Sequence, residues 1–240
     1  MILTVIEYRK GIEVDWFLEN LERKNPFSYA RFNDGEMIAI NQVGSVVARG
    51  DQVVDTGLSD ALRESLAYRQ HNYYVGIPCS QCYPELNRIA RSIVGDYEHV
   101  TSAVATTNRN WKRFVEEFPR LMSDRRMLWV GGDDQSIEPL KDMGLNVVRF
   151  ARVPRRNSWD YYRDLKSALP QYFQEGDFVG ISLGPTARVL ARHWFEEYPD
   201  ITFVDMGSNF DPFTRNVRHN CHKGWDETGF NLTKPCMECN

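Results

Sequence analysis

The sequence contains no run of lysines and arginines, no long apolar stretch, no internal repeat and no low-complexity tract. Each absence removes a class of protein. With 29 Lys+Arg against 33 Asp+Glu and a formal charge of −4, the chain lacks the positive surface through which general nucleic-acid binders neutralise phosphates. No nucleic-acid partner is expected. No apolar segment approaches the ~20 residues that span a bilayer, so no transmembrane segment is expected either. The opening Met1-Ile2-Leu3-Thr4-Val5-Ile6-Glu7 has too short an apolar run and no basic flank for a secretion signal, which makes a cytoplasmic location the default. The glycines and lysine of a Walker A loop, and the glycines of a dinucleotide fingerprint, are missing as well. Cysteine is scarce. Five residues, an odd number, argue for thiols or metal ligands rather than a disulfide framework.

What remains is a globular composition, 42% hydrophobic and 12% aromatic over 240 residues. That excludes disordered and coiled-coil readings and can fill the core of a single α/β domain, residues 1–240, with a core-poor tail from about residue 220. Val14, Phe17, Leu18 and Leu21 recur at helical spacing. Short β-branched or aromatic runs then alternate with amphipathic segments. Strands are predicted over 27–32, 73–77, 100–105, 127–130, 147–150, 178–183 and 201–204. The clearest helices are predicted over 55–70 and 186–197, the latter aligning Ala187, Leu190, Ala191, Trp194 and Phe195 on one face. This alternation implies a Rossmann-like, mostly parallel sheet with helices on both faces. Ligands of such sheets bind beyond the carboxyl ends of the strands, so the residues after each strand carry the functional argument.

The first such segment is Arg31-Phe32-Asn33-Asp34-Gly35-Glu36. If the chain stays extended, Asp34 and Glu36 project on the same side, and Gly35 lets a ligand approach the backbone. Paired hard oxygen donors suit Mg²⁺ or Mn²⁺ bridging to a diphosphate. The alternative is a polar turn in which Asp34 caps the next helix and Glu36 is a first-turn acid. The second segment, Ile181-Ser182-Leu183-Gly184-Pro185-Thr186-Ala187, runs from strand into helix. It reads either as an anion site built from the amides of Thr186 and Ala187 and the Thr186 hydroxyl, or as an ordinary βα connection. Asp205, at the end of the last strand, could act as a general base or hydroxyl acceptor, or could fasten its own loop. Asp211 poses the same choice for the base, and Asp133 and Asp134 after Gly131-Gly132 pose it more weakly. The cluster Arg149, Arg152, Arg155 and Arg156 suits a small anion.

Four of the five cysteines form two Cys-x2-Cys pairs, Cys79/Cys82 and Cys236/Cys239. Each pair points two thiolates at one tetrahedral centre, so together they could bind a structural Zn²⁺ that holds down the core-poor tail. Cys221 and His222 are an alternative ligand pair near the second knuckle. Scattered thiols and a redox pair are the other readings, the latter disfavoured because Pro78 and Pro84 flank the first pair with no helix N-terminus inside it.

Several of these segments resemble one family. Arg31-Phe32-Asn33-Asp34-Gly35-Glu36 resembles the Arg-Phe-Gly-Asp-Gly-Glu signature of the GT-D type glycosyltransferases. Gly184-Pro185-Thr186-Ala187 is similar to its Gly-Pro-Thr-Ala helix start, and Asp205-Met206-Gly207 to its Asp-hydrophobic-Gly. Pro154 and Asn157 fall where the family has Pro and Asn before a helix. The matches keep their order from residue 28 to about 215. The resemblance implies a UDP-sugar donor and a hydroxyl acceptor such as a glycan. It also implies Mn²⁺ or Mg²⁺ on Asp34 and Glu36, and Arg31, Asn157, Gly184, Pro185 and Thr186 near the substrate. This chain departs from the pattern at Asn33, in place of Gly, and at Ser208, where His is usual. The cysteine pairs are outside the pattern. The expected activity is a metal-dependent glycosyltransferase, hexosyltransferase-like. A nucleotide-sugar hydrolase and a non-catalytic nucleotide- or zinc-binding module are the alternatives.

Overall fold

The computed structural model of the chain describes residues 12–219 and 222. In chain order they form α1 (Ile12–Glu22), β1 (Ser28–Arg31), α2 (Asp34–Asn41), the hairpin strands β2 (Val46–Val47) and β3 (Gln52–Val53), α3 (Thr56–Ala67), β4 (Tyr73–Ile77), α4 (Pro84–Val94) and β5 (Val100–Ser102). There follow α5 (Trp111–Met122), β6 (Met127–Gly132), α6 (Glu138–Asp142), β7 (Val147–Val153), α7 (Tyr162–Ala168), β8 (Phe178–Ser182), α8 (Thr186–Glu197), β9 (Thr202–Asp205) and α9 (Asp211–Thr214).

Seven strands make one sheet in the order β5-β4-β1-β9-β8-β6-β7, and every pairing in it is parallel. The Rossmann-like α/β expectation therefore holds. Parallel strands need crossovers, and the crossover helices cover both faces. The alternation of strand side chains divides the core in two. Ala30, Leu128, Val130, Val179, Ile181 and Phe203 face α2, α3, α4 and α8. Tyr29, Met127, Trp129, Phe178 and Val204 face α1 and α5. Among the described residues no helix is long and apolar enough to cross a membrane.

Some boundaries differ from the pattern-based expectation. β5 ends at Ser102, because Ala103 to Thr107 turn back while remaining buried. β6 and β7 run on to Gly132 and Val153, since Gly131 pairs with Arg152 and Gly132 with Val153. The segment after β1 is not extended: α2 begins at Asp34.

Candidate functional site

Three neighbouring strands, β1, β9 and β8, deliver Arg31, Asp205 and the Leu183-Gly184 turn to the same edge of the sheet. α8 starts directly beyond that turn. Its first six residues, Thr186 to Ala191, are all buried, so the helix enters between the sheet and its neighbours instead of lying on the surface. Arg188 is carried in with it and is 4% exposed.

Burying a guanidinium costs several kcal/mol unless charges and hydrogen bonds compensate. Here they do. Arg188 Nε donates to the Arg31 carbonyl at 2.5 Å and lies 2.8 Å from Asp205 Oδ2. Its Nη2 lies 3.2 Å from Glu36 Oε1, and its Nη1 donates to the Gly184 carbonyl. One side chain thus joins the three sequence segments singled out above. The Asp205 carboxylate is fully buried and accepts two further bonds, from the Gly207 amide at 2.9 Å and the Arg31 amide at 3.3 Å. Gly207 has φ +50, and a Cβ there would stand 2.7 Å from Arg31 Nη1; this is why the loop after Asp205 uses glycine. Arg31 itself is buried, donating from Nε to the Ala103 carbonyl at 3.1 Å and from Nη1 to Asn209 Oδ1 at 3.4 Å. With both oxygens engaged, Asp205 is placed to hold Arg188.

Asp34 and Glu36 occupy the first and third positions of α2, roughly 200° apart around the helix axis rather than side by side as on an extended chain. Glu36 Oε2 accepts from the Asn33 amide at 3.0 Å, the reciprocal arm of a capping box, and its other oxygen faces Arg188. Glu36 is buried, whereas Asp34 is exposed. A carboxylate offers about four lone-pair sites, so Glu36 retains acceptor capacity beside these bonds. Mg²⁺-type ions use one or two carboxylates and complete their shell with water and phosphate oxygens. Asp34, exposed, offers one such carboxylate, while both oxygens of Glu36 already have partners.

Gly184 has φ +52, and a Cβ there would meet Ala48 at 3.3 Å. The β2–β3 hairpin therefore passes directly over the turn. Pro185 caps α8 and Thr186 is its first residue. Thr186 is fully buried, and its hydroxyl is 2.9 Å from that of Ser158, which also donates to the Leu183 carbonyl. The Ala187 amide bonds back to the Gly184 carbonyl at 3.1 Å. Asn157, in the left-handed region at φ 50, fastens the hairpin: its amide donates to the Asp51 carbonyl at 2.6 Å and its side chain accepts from Val53 at 3.1 Å. Arg155 adds ion pairs to Asp51 and Asp134. Arg149 instead stacks over Tyr172 and Arg152 over Phe150, so the basic cluster is spread over different partners. Asp134 also pairs with Arg215, which reaches Asp211, and Asp211 Oδ2 is 2.6 Å from His219 Nε2.

No family model matches this chain, and no curated protein matches it. Two solved structures do. One is described as showing that the highly conserved domain of unknown function 1792 has a distinct glycosyltransferase fold. It aligns with TM-score 0.66 and 17% identity over 90% of this chain and 88% of that one. The other, a selenomethionine-substituted structure of domain of unknown function 1792, gives TM-score 0.65 and 16% identity over 83% and 79%. The chain has their fold. It is an α/β fold with a parallel sheet, as the strand–helix alternation of the sequence implies.

Cys79 is buried and Cys82 half-buried, just beyond the carboxyl end of β4. Cys221, Cys236 and Cys239 lie outside the described residues, as does all of the tail except His222, which is buried. The residue that sequence reasoning missed is Arg188. The available signal was its place inside Thr186-Ala187-Arg188-Val189-Leu190-Ala191, where a charge sits within an otherwise apolar helix start.

Proposed function

We propose that this protein is a metal-dependent glycosyltransferase that moves a sugar from a nucleotide-diphosphate sugar, a UDP-sugar, to a hydroxyl acceptor such as a glycan. The observation that carries the reading is the Arg188 cluster. It gathers the segments of Asp34/Glu36, Gly184 and Asp205 at the carboxyl edge of the sheet, where α/β folds bind ligands. The likeness in fold to a structure described as a distinct glycosyltransferase fold supports it.

In this reading Asp34 and Glu36 would hold Mn²⁺ or Mg²⁺, which would supply positive charge to offset that of a diphosphate. Asp34 is open to solvent and would offer its carboxylate to the cation, and Glu36 is oriented by Arg188 and the Asn33 amide. Asp205 acts as a positioning residue for Arg188. Gly184 and Pro185 shape the turn beneath the hairpin, so that the nucleotide lies beside the turn and the hairpin, with Asn157 fixing the hairpin's seat.

Thermal shifts with a panel of nucleotides and nucleotide sugars, with and without Mn²⁺, identify the donor, since a ligand of the native state raises the melting temperature. Calorimetry with UDP and Mn²⁺ then tests the site. Asp34→Asn changes an exposed side chain and leaves the Arg188 cluster intact, so it should lower affinity by at least about tenfold, roughly 1.4 kcal/mol, without changing stability. Unchanged Mn²⁺-dependent affinity in that variant overturns the metal assignment. Turnover of a UDP-sugar with water as the sole acceptor would instead identify a hydrolase.

A further inference from the structure

At the opposite end of the sheet, two turns meet. His71 lies in the turn that enters β4, and Glu98 and His99 lie in the turn that enters β5. β4 and β5 pair in parallel, Val75 beside Val100, and the Val75 amide donates to the His99 carbonyl at 2.9 Å. The sheet therefore fixes the backbone on both sides. One donor atom from each of His71, Glu98 and His99 lies within 4.8 Å of the other two. We propose that these three side chains form a Zn²⁺ site that clamps the entry of the edge strand β5 to β4.

Two imidazoles and a carboxylate are ligands that zinc accepts at about 2.0–2.2 Å, with water in the fourth position. In a tetrahedral site of that radius, neighbouring donors stand about 3.3 Å apart. His99 Nε2 and Glu98 Oε1 already stand 3.4 Å apart. The same Nε2 is shielded from solvent and makes no hydrogen bond, an arrangement that leaves a buried polar atom unsatisfied until something binds it. His71 and Glu98 are exposed, so their side chains can close on an ion without moving the backbone. The role follows from the topology. β5 has three residues and one sheet neighbour, and a metal tying its entry to that of β4 compensates for a short ladder.

The test uses the full chain, stripped with EDTA and titrated with zinc chloride by calorimetry, alongside His71→Ala and Cys82→Ser. His71→Ala removes an exposed ligand and should melt like the wild type in EDTA. Removing supporting groups around a metal already costs about 10–100-fold in affinity. His71→Ala should therefore lose one zinc equivalent or bind it at least about tenfold more weakly, and lose the zinc-induced rise in melting temperature. Cys82→Ser should keep that equivalent, which separates it from thiolate-bound zinc. Identical titrations for the wild type and His71→Ala overturn the proposal, and so does an equivalent that vanishes in Cys82→Ser but survives in His71→Ala.

Discussion

Replacing Arg188 with methionine keeps an unbranched side chain of similar reach but removes the charge between two buried carboxylates. Breaking a buried pair by deleting one partner costs ~3–5 kcal/mol, because the remaining charge is left uncompensated. Here Glu36 and Asp205 are both left. For a chain of this size each kcal/mol lowers the melting temperature by about 2–4 °C, so Arg188→Met should melt about 6–20 °C below the wild type. A second substitution shows whether charge is the cause. Glu36→Gln discards one carboxylate yet keeps an oxygen to accept from the Asn33 amide. Asp205→Asn is a poorer choice, since its NH₂ would face either the Arg31 or the Gly207 amide, both of which now donate to the carboxylate. In the wild type Glu36→Gln should destabilise by ~1 kcal/mol, the worth of its share of the ion pair and bond. In the Arg188→Met background it should stabilise by ~1–2 kcal/mol, the part of the penalty that one unpaired group contributes. That reversal of sign, read from urea or thermal unfolding of the double-mutant cycle, is the signature. Arg188→Met melting within about 2 °C of the wild type, or Glu36→Gln destabilising both backgrounds equally, would show that Arg188 does not compensate the two carboxylates.

Gly184→Ala should destabilise by ~1–2 kcal/mol in urea unfolding, because an alanine at φ +52 bears the left-handed penalty and its Cβ must displace Ala48; no loss would mean that the turn relaxes freely. Stability should also fall as pH is lowered through about 6.5. Burial depresses the pKa of both His99 and His193 below 6.5, so the unfolded chain takes up those protons first and its population grows as pH drops. His193→Gln, measured in EDTA, should flatten that dependence, and an unchanged slope counts against it. Finally, in a His71→Ala background, elemental analysis should find about one zinc per chain if Cys79 and Cys82 share an ion with Cys236 and Cys239, and adding Cys236→Ser should release it; retention there would move the ligation to Cys221 and His222, and a zinc-free His71→Ala protein would leave thiols alone.

The core elements were legible because their patterns are strong. β4 over 73–77 and α8 over 186–197 match the expected bounds, since β-branched and aromatic density in one, and helical spacing in the other, leave little choice. The start of α2 was not legible in the same way. Asp34-Gly35-Glu36 satisfies both an extended metal-binding segment and a capped helix start, and the tertiary partner Arg188 decides for the helix. The hairpin was missed because its strands have two residues each, too short for any period to show. Val46 and Val53, which face each other across it, are exposed, so burial gives no signal either. Arg188 was passed over because a helix wheel places it one step off the apolar stripe of Ala187, Leu190 and Ala191, where an arginine ordinarily meets water. Only the depth at which α8 enters the fold turns that position inward.

The strand order has a consequence for how the chain is made. Among the described residues β9 is the last strand in sequence and a central one in space, seated between β1 and β8. Arg31 and Asp205, in contact at this junction, are 174 residues apart. Until β9 emerges from the ribosome, the nascent chain can form only two half-sheets, β5-β4-β1 and β8-β6-β7, with β1 and β8 as open edges facing one another. Such edges invite pairing with other chains, and closure waits on a long-range contact of the kind that slows folding. The Arg188 cluster forms at that closing seam, so the carboxylates it neutralises find their counter-charge only when the sheet is completed.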